Sequence, residues 1–258
     1  MTEMAVRSVL VTGSNRGIGL ELIKKFINRS QPPEYIFATC RDPKGPRGEE
    51  LNNLASKHSN VVLLQLDATD ADSIKKAVST VETQLKGEGL NLLINNAGVM
   101  THVDLDNVGS EDMINVYKTN VVGPLLISQA FYPLLKKSAD LHANEPLSCQ
   151  KAAVVNISSL LGSIESQTFT FDPAKQVISY RVSKAALNML TRCQAEGYKK
   201  DGILFSALHP GWVKTDMGSE RALLTTDESV TGMMKVLNSL SEKQNGILMS
   251  WDGSAIPW

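Results

Sequence analysis

In the stretch SYRVSKAAL, residues 179–187, a tyrosine and a lysine stand four positions apart, at Tyr180 and Lys184. Side chains at that spacing project from one face of a helix. A phenol beside an ammonium can hand over a proton, because the positive charge favours phenolate and lowers a pKa that is about 10 in the free residue. Any amphipathic helix can also produce the pair by accident, so the rest of the chain must decide. Upstream, the run VNISS (155–159) ends in two adjacent hydroxyls, Ser158 and Ser159. Strand alternation can turn only one of them toward a cleft, and the spacing leaves the choice open.

A second chemical feature lies near the start, in VLVTGSNRGIGLEL. Gly13, Gly17 and Gly19 fall at a G-x-x-x-G-x-G spacing between an apolar run and a helical pattern. Side chains must be absent where backbone turns tightly against a pyrophosphate, and a helix N-terminus offers free N–H groups and partial positive charge. The turn therefore reads as a variant of the dinucleotide fingerprint. In ATCRDP, after the second apolar run, Arg41 stands where an NAD-preferring protein would carry a carboxylate, and Arg16 lies inside the glycine turn. Two guanidinium groups suit a 2′-phosphate, so NADPH is the expected cofactor. Asp42 is the rival feature, since a carboxylate at the ribose would favour NADH. The duller alternative makes both arginines solvated surface residues.

What must position these groups is an alternation of strands and helices. Seven apolar runs recur: 8–12, 35–40, 61–66, 91–96, 152–158, 203–209 and 247–251. Most are continuous, which suits strands covered on both faces. Between them lie helical periods. The inward set in the first is Gly19, Leu22, Ile23, Phe26 and Ile27; in 182–193 it is Val182, Ala186, Met189, Leu190 and Cys193. The expected fold class is α/β: one Rossmann domain over 1–258, with a doubly wound, seven-stranded parallel sheet and helices on both faces. Residues 138–150 read as a surface excursion, not a linker.

Composition narrows the partners. The chain of 258 residues is 42% hydrophobic and 21% charged, with formal net charge −1. No cationic excess invites nucleic acid. Cys40, Cys149 and Cys193 are scattered and the four histidines form no cluster, so neither disulfides nor a metal site is expected. No signal pattern or long apolar run is present, and a cytoplasmic, membrane-free protein is the expectation.

Taken in order, the motifs resemble the short-chain dehydrogenase/reductase family over almost the whole chain. Thr12-Gly13-Ser14-Asn15-Arg16-Gly17-Ile18-Gly19 matches its TGxxxGxG, and Asp67 its acidic residue at the adenine ring. Asn95-Asn96-Ala97-Gly98 matches NNAG, and Asn120 in YKTNVVGP the mid-helix asparagine. VNISS, Tyr180-x-x-x-Lys184 and Pro210-Gly211-x-x-x-Thr215 complete the series. Within the family the glycine turn, ATCRDP and the ending WDGSAIPW are most similar to sniffer-type and C-factor-like carbonyl reductases.

The resemblance implies roles. Tyr180 is the proton donor to a carbonyl oxygen. Lys184 tunes that phenol and holds the nicotinamide ribose. Ser159, which the family pattern favours over Ser158, steadies charge on the oxygen, and Asn120 orients a water beside Lys184. The cofactor set is Gly13, Ser14, Asn15, Arg16, Gly17, Ile18, Gly19, Arg41, Asp67, Asn95, Ala97, Gly98, Tyr180, Lys184, Pro210, Gly211, Val213 and Thr215, with Val213 backbone and the Thr215 hydroxyl at the carboxamide. His209 is expected to be structural. The 160–179 stretch, longer than in the shortest members, is expected over the substrate side, with Phe169 and Phe171 as candidate pocket walls. The implied activity is reduction of a small-molecule carbonyl compound (aldehyde, ketone or quinone) by NADPH. The alternatives are an NAD-dependent alcohol or hydroxysteroid dehydrogenase and a non-catalytic dinucleotide-binding signalling protein. Family members often dimerise through two long helices, here near 110–137 and 180–200, though some are monomers.

Overall fold

In the computed structural model, which describes residues 5–167 and 177–258, every apolar run forms a strand. These are β1 (Ser8–Val11), β2 (Tyr35–Cys40), β3 (Val61–Gln65), β4 (Leu92–Asn95), β5 (Ala153–Ile157), β6 (Leu204–His209) and β7 (Leu248–Ser250). The sheet order is β3-β2-β1-β4-β5-β6-β7-β8, parallel throughout except for its last pair. That last strand corrects the expected count of seven. β8 (Ala255–Ile256) pairs antiparallel with β7, through Leu248 with Ile256 and Met249 with Ala255. Two residues are too few to show a period in sequence.

Side-chain alternation divides the core into two layers. Val9, Val11, Ile36, Ala38, Ile94 and Val155 face helices α1 (Gly17–Ile27) and α7 (Thr226–Ser239). Leu10, Phe37, Leu93, Val154 and Phe205 face α3 (Ala71–Leu85) and α5 (Gly123–Leu141). Both faces of the central strands are thus covered, which explains their unbroken apolar runs. Buried Phe26, Phe37, Phe131 and Phe205 each contribute roughly 2–3 kcal/mol of apolar burial to the platform. A short helix α2 (Glu49–Lys57) follows β2, and α4 (Ser110–Tyr117) precedes α5 through a π-helical turn at Lys118–Val122. There the Gly123 N–H reaches back to the Lys118 carbonyl.

Helix α6 (Ile178–Gly197) reverses the expected orientation. Its inner face is polar: Ser179, Arg181, Ser183, Lys184, Asn188, Thr191 and Gln194 are buried there with Leu187 and Ala195. Val182 and Met189 are instead 45% and 65% exposed, and Cys193 is exposed as well. The apolar stripe expected to face inward therefore faces out. Periodicity identified the residues that share a face, and partners on β5 and the turn after it decide which face is covered.

Strand order reverses between β1 and β4, and in open α/β sheets this switch point is where ligands gather beyond the strand ends. The glycine turn follows β1 and the NNAG block follows β4, so topology alone brings the two motifs together.

Candidate active site

The turns after β1 and β4 are stitched to one another. The Thr12 hydroxyl accepts from the backbone N–H groups of Asn96 and Ala97, both at 3.0 Å. In return, the Asn96 side chain donates to the carbonyls of Thr12 (2.9 Å) and Gly13 (3.1 Å). Only glycine fits between them: Gly13 has φ +66°, and a Cβ on Gly19 would lie 2.3 Å from the Gly13 carbonyl oxygen. α1 begins with no side-chain cap and no acid in its first turn, leaving free N–H groups and partial positive charge toward the cleft. A glycine-walled cradle ahead of an uncapped helix fits a dinucleotide pyrophosphate.

Not every residue of the expected cofactor set faces this cradle. Ser14 is buried, its N–H donating to Thr39 O (2.8 Å) and its hydroxyl to Val11 O (2.7 Å), so it holds the turn to β1 and β2. The Asn95 side chain, 2% exposed, donates to Asn156 (2.8 Å) and Ser128 (3.3 Å) inside the core. It is a structural residue. The neighbouring Asn96, absent from the expected set, is the one whose side chain meets the glycine turn. Ile18 packs against the α1 side of the core. Asn15 donates to Arg47 O at 3.3 Å, drawing the 41–48 loop toward the turn.

At the second strand end, Arg41 is exposed and its guanidinium has no partner among the described residues. Asp42 is turned into its own loop, where its carboxylate accepts from Lys44 N at 3.1 Å. Arg16 pairs with Asp216. Asp67 accepts from the Thr69 N–H and hydroxyl, both 2.8 Å, through one carboxylate oxygen only.

Farther along the cleft the catalytic candidates meet. Ser158 and Ser159 separate as strand alternation requires. Ser158 donates to Asn188 at 2.5 Å, away from the cleft, whereas the Ser159 hydroxyl accepts from Leu161 N at 3.1 Å on the Tyr180 side and pulls the pKa of that phenol down. Lys184, 5% exposed, donates to Ile157 O at 2.7 Å with its Nζ 5.5 Å from the Tyr180 ring centre. Gly98 forms the floor, since a Cβ there would lie 3.3 Å from Asn120 Oδ1 and 3.8 Å from Lys184 Nζ. Gly162, not singled out in sequence, lets the turn after Ser159 press onto α6: its Cβ would sit 2.6 Å from the Lys184 carbonyl carbon.

Burial pushes the Tyr180 phenol up to about 12, with the Ser159 bond pulling the other way, and pushes Lys184 down to about 8. In the chain by itself desolvation therefore sets the direction for the phenol; the lowering expected from Lys184 is a joint effect with the positive nicotinamide ring of an oxidised cofactor. Asn120, in the π-helical turn, donates to Val99 O (2.9 Å) and Ser183 Oγ (3.0 Å) and accepts from Val99 N (2.9 Å). Both its amide hydrogens are engaged, so its side chain positions the β4 exit, and only an acceptor lone pair is left for a water.

The strap 210–224 closes the far side. Gly211 has φ +86°, Pro210 O accepts from Ser229 at 2.6 Å, and Val213 bridges to Leu224. The Thr215 hydroxyl accepts from Gly218 N at 3.1 Å and donates to Val213 O at 3.3 Å, so it is engaged within the strap. His209 is held neutral near physiological pH, burial pushing its pKa down to about 4, as suits a structural residue. After Ser159, the Glu165 N–H donates to Trp258 O (2.9 Å), and Gln167 accepts from Arg181 (2.6 Å). Phe169 and Phe171 lie outside the described residues. No group of histidine, cysteine and acidic side chains suited to a metal occurs among the described residues, and no helix there is long and apolar enough to cross a membrane.

Known proteins resemble this chain in sequence and in fold. The carbonyl reductase of chicken fatty liver, solved with NADPH bound, is 55% identical, with TM-score 0.93 over 98% of this chain and 99% of that one. Carbonyl reductase Sniffer of D. melanogaster is 38% identical, with TM-score 0.92 over 98% of this chain and 100% of that one. An uncharacterized oxidoreductase of Schizosaccharomyces pombe is 32% identical over 96% of both chains. The sequence model for short chain dehydrogenase matches residues 7–223, and the chain belongs to that family, with Sniffer-like relatives.

Proposed function

We propose that the chain is an NADPH-dependent carbonyl reductase acting as one domain over residues 1–258. The carrying observation is the Ser159–Tyr180–Lys184 cluster at the end of a cradle that only glycines can line. The NADPH-bound chicken relative supports the cofactor, as does the position of Asp42: its carboxylate serves Lys44 N, which removes the feature that favoured NADH. Arg41 and Arg16 would meet the 2′-phosphate, Asp67 the adenine, and the α1 N-terminus the pyrophosphate.

When bound, the cofactor supplies a hydride to the carbonyl carbon. The Tyr180 phenol, protonated across the physiological range, gives its proton to the oxygen, while the Ser159 hydroxyl stabilises charge gathering there. Lys184, fixed by Ile157 O, holds the ribose hydroxyls and favours the phenolate left behind. Aldehydes, ketones and quinones are the substrate class, and the three unpaired cysteines suit a reducing cytoplasm. The outward stripe of Val182 and Met189, with Ile114 and Tyr117 exposed on α4, supports a homodimer through these helices.

Tyr180→Phe tests the reading. Fluorescence titration should show NADPH binding retained, with turnover of a carbonyl panel lowered at least about a hundredfold. Equal turnover by the variant would remove Tyr180 as donor. Wild-type protein that binds NADPH yet turns over nothing would favour the signalling alternative.

A further inference from the structure

Arg16 stands at the mouth of the cradle, yet its guanidinium is already held. It donates through Nη1 to the carboxylate of Asp216, 200 residues farther along the chain. Neither partner is buried, with side chains 49% and 69% exposed. The meeting place is fixed by packing, because the absent Cβ of Gly17 would lie 3.2 Å from Thr215 Cγ2. Glycine turn and strap therefore touch one residue away from the ion pair. Beside it lies an open cavity of about 390 Å³ lined by Asn15, Arg16, Arg47, Glu49, Asn53 and Asp216. Arg41 and Arg47 carry no ion pair among the described residues, so Arg16 is the arginine of this end with an anion already in hand.

We propose that Asp216 sets the margin by which the cleft prefers a 2′-phosphorylated dinucleotide, by competing with that phosphate for Arg16. The inference rests on the dinucleotide reading above and adds a specificity residue to it. A carboxylate bonded to the guanidinium occupies one of its donors and repels a second anion arriving at the others. The repulsion acts on a phosphate and leaves a ribose hydroxyl almost untouched. Asp216 is thus a brake that weighs more on NADPH than on NADH, since the two share the pyrophosphate and differ in the 2′-phosphate. Its position on the strap, away from the loop that follows β2, explains why the sequence around Arg41 gives no sign of it.

The experiment is a fluorescence titration of wild type, Asp216→Asn and Asp216→Lys with NADPH and with NADH, at low and high sodium chloride. Exposed ion pairs act over a small range, so Asp216→Asn should tighten NADPH roughly two- to fivefold. Asp216→Lys should tighten it further, NADH should gain distinctly less than NADPH, and added salt should shrink the gain. Equal shifts for both cofactors would overturn the proposal by showing that Asp216 acts through the strap. Weaker NADPH binding would overturn it by showing that Asp216 holds Arg16 in its productive pose. Wild-type protein that binds neither dinucleotide would instead remove the reading of the cleft, and this proposal with it.

Discussion

Taking the ammonium of Lys184 out of water disfavours its charged form, which is why its pKa falls to about 8 while its one strong partner is the Ile157 carbonyl. The sign follows from proton counting. Between about 8 and 10.5 the unfolded chain binds more protons at this site than the folded one, so its contribution favours folding increasingly as pH rises through that window. At pH 7 the buried charge works against the fold. Lys184→Met should therefore abolish turnover and yet raise stability in urea at pH 7 by on the order of 2 kcal/mol, with the gain shrinking toward pH 10.5. A variant less stable than wild type at both pH values would show that the lost hydrogen bond outweighs desolvation. Tyr180 carries the opposite sign. Its raised pKa favours folding below about 10 and loses that contribution as pH climbs toward 12.

Helix α6 shows at the next scale what its periodicity could and could not convey. A stripe through Val182, Met189 and Cys193 is apolar enough to pass for a core face, but the opposite, polar face, with Lys184 of the proposed catalytic pair, is the buried one. Met189→Asp should therefore leave the thermal midpoint within a degree or two, because a residue 65% exposed loses little burial. Its effect should appear as a shift from dimer to monomer in light scattering after gel filtration. A wild-type protein already monomeric in that measurement would sink the homodimer. The same limit governed neighbouring residues. Asn95 and Asn96 read alike within a motif, yet alternation sends the first into the core and the second to the glycine turn. Ser158 and Ser159 divide likewise, and what separates them is Asn188, a residue no motif marks. Seven strands were legible because a run covered on both faces has no polar interruption. β8 was not, since two residues against an edge leave no pattern.

Over the whole molecule the site depends on contacts between distant parts of the sequence. The glycine turn is closed by Asn96, the floor under Lys184 by Gly98, and the strap by residues beyond 210. Individual strands and helices were readable because they are local. The Arg16–Asp216 pair was not, because nothing in either segment announces the other. The polar inner face of α6 has one further consequence, in the order of assembly. A helix docking through apolar side chains gains burial from any loosely formed platform. A helix docking through Lys184, Asn188, Thr191 and Gln194 loses hydration first and recovers it only when β5 already presents Asn156 and Ile157 O and the turn after it presents Ser158. In pulsed hydrogen exchange during refolding, amides of β1, β4 and β5 should gain protection before those of 183–195, and simultaneous protection would refute that order. The half of the cleft to which the proposed proton chemistry belongs is then the last to form, on a sheet that has already folded.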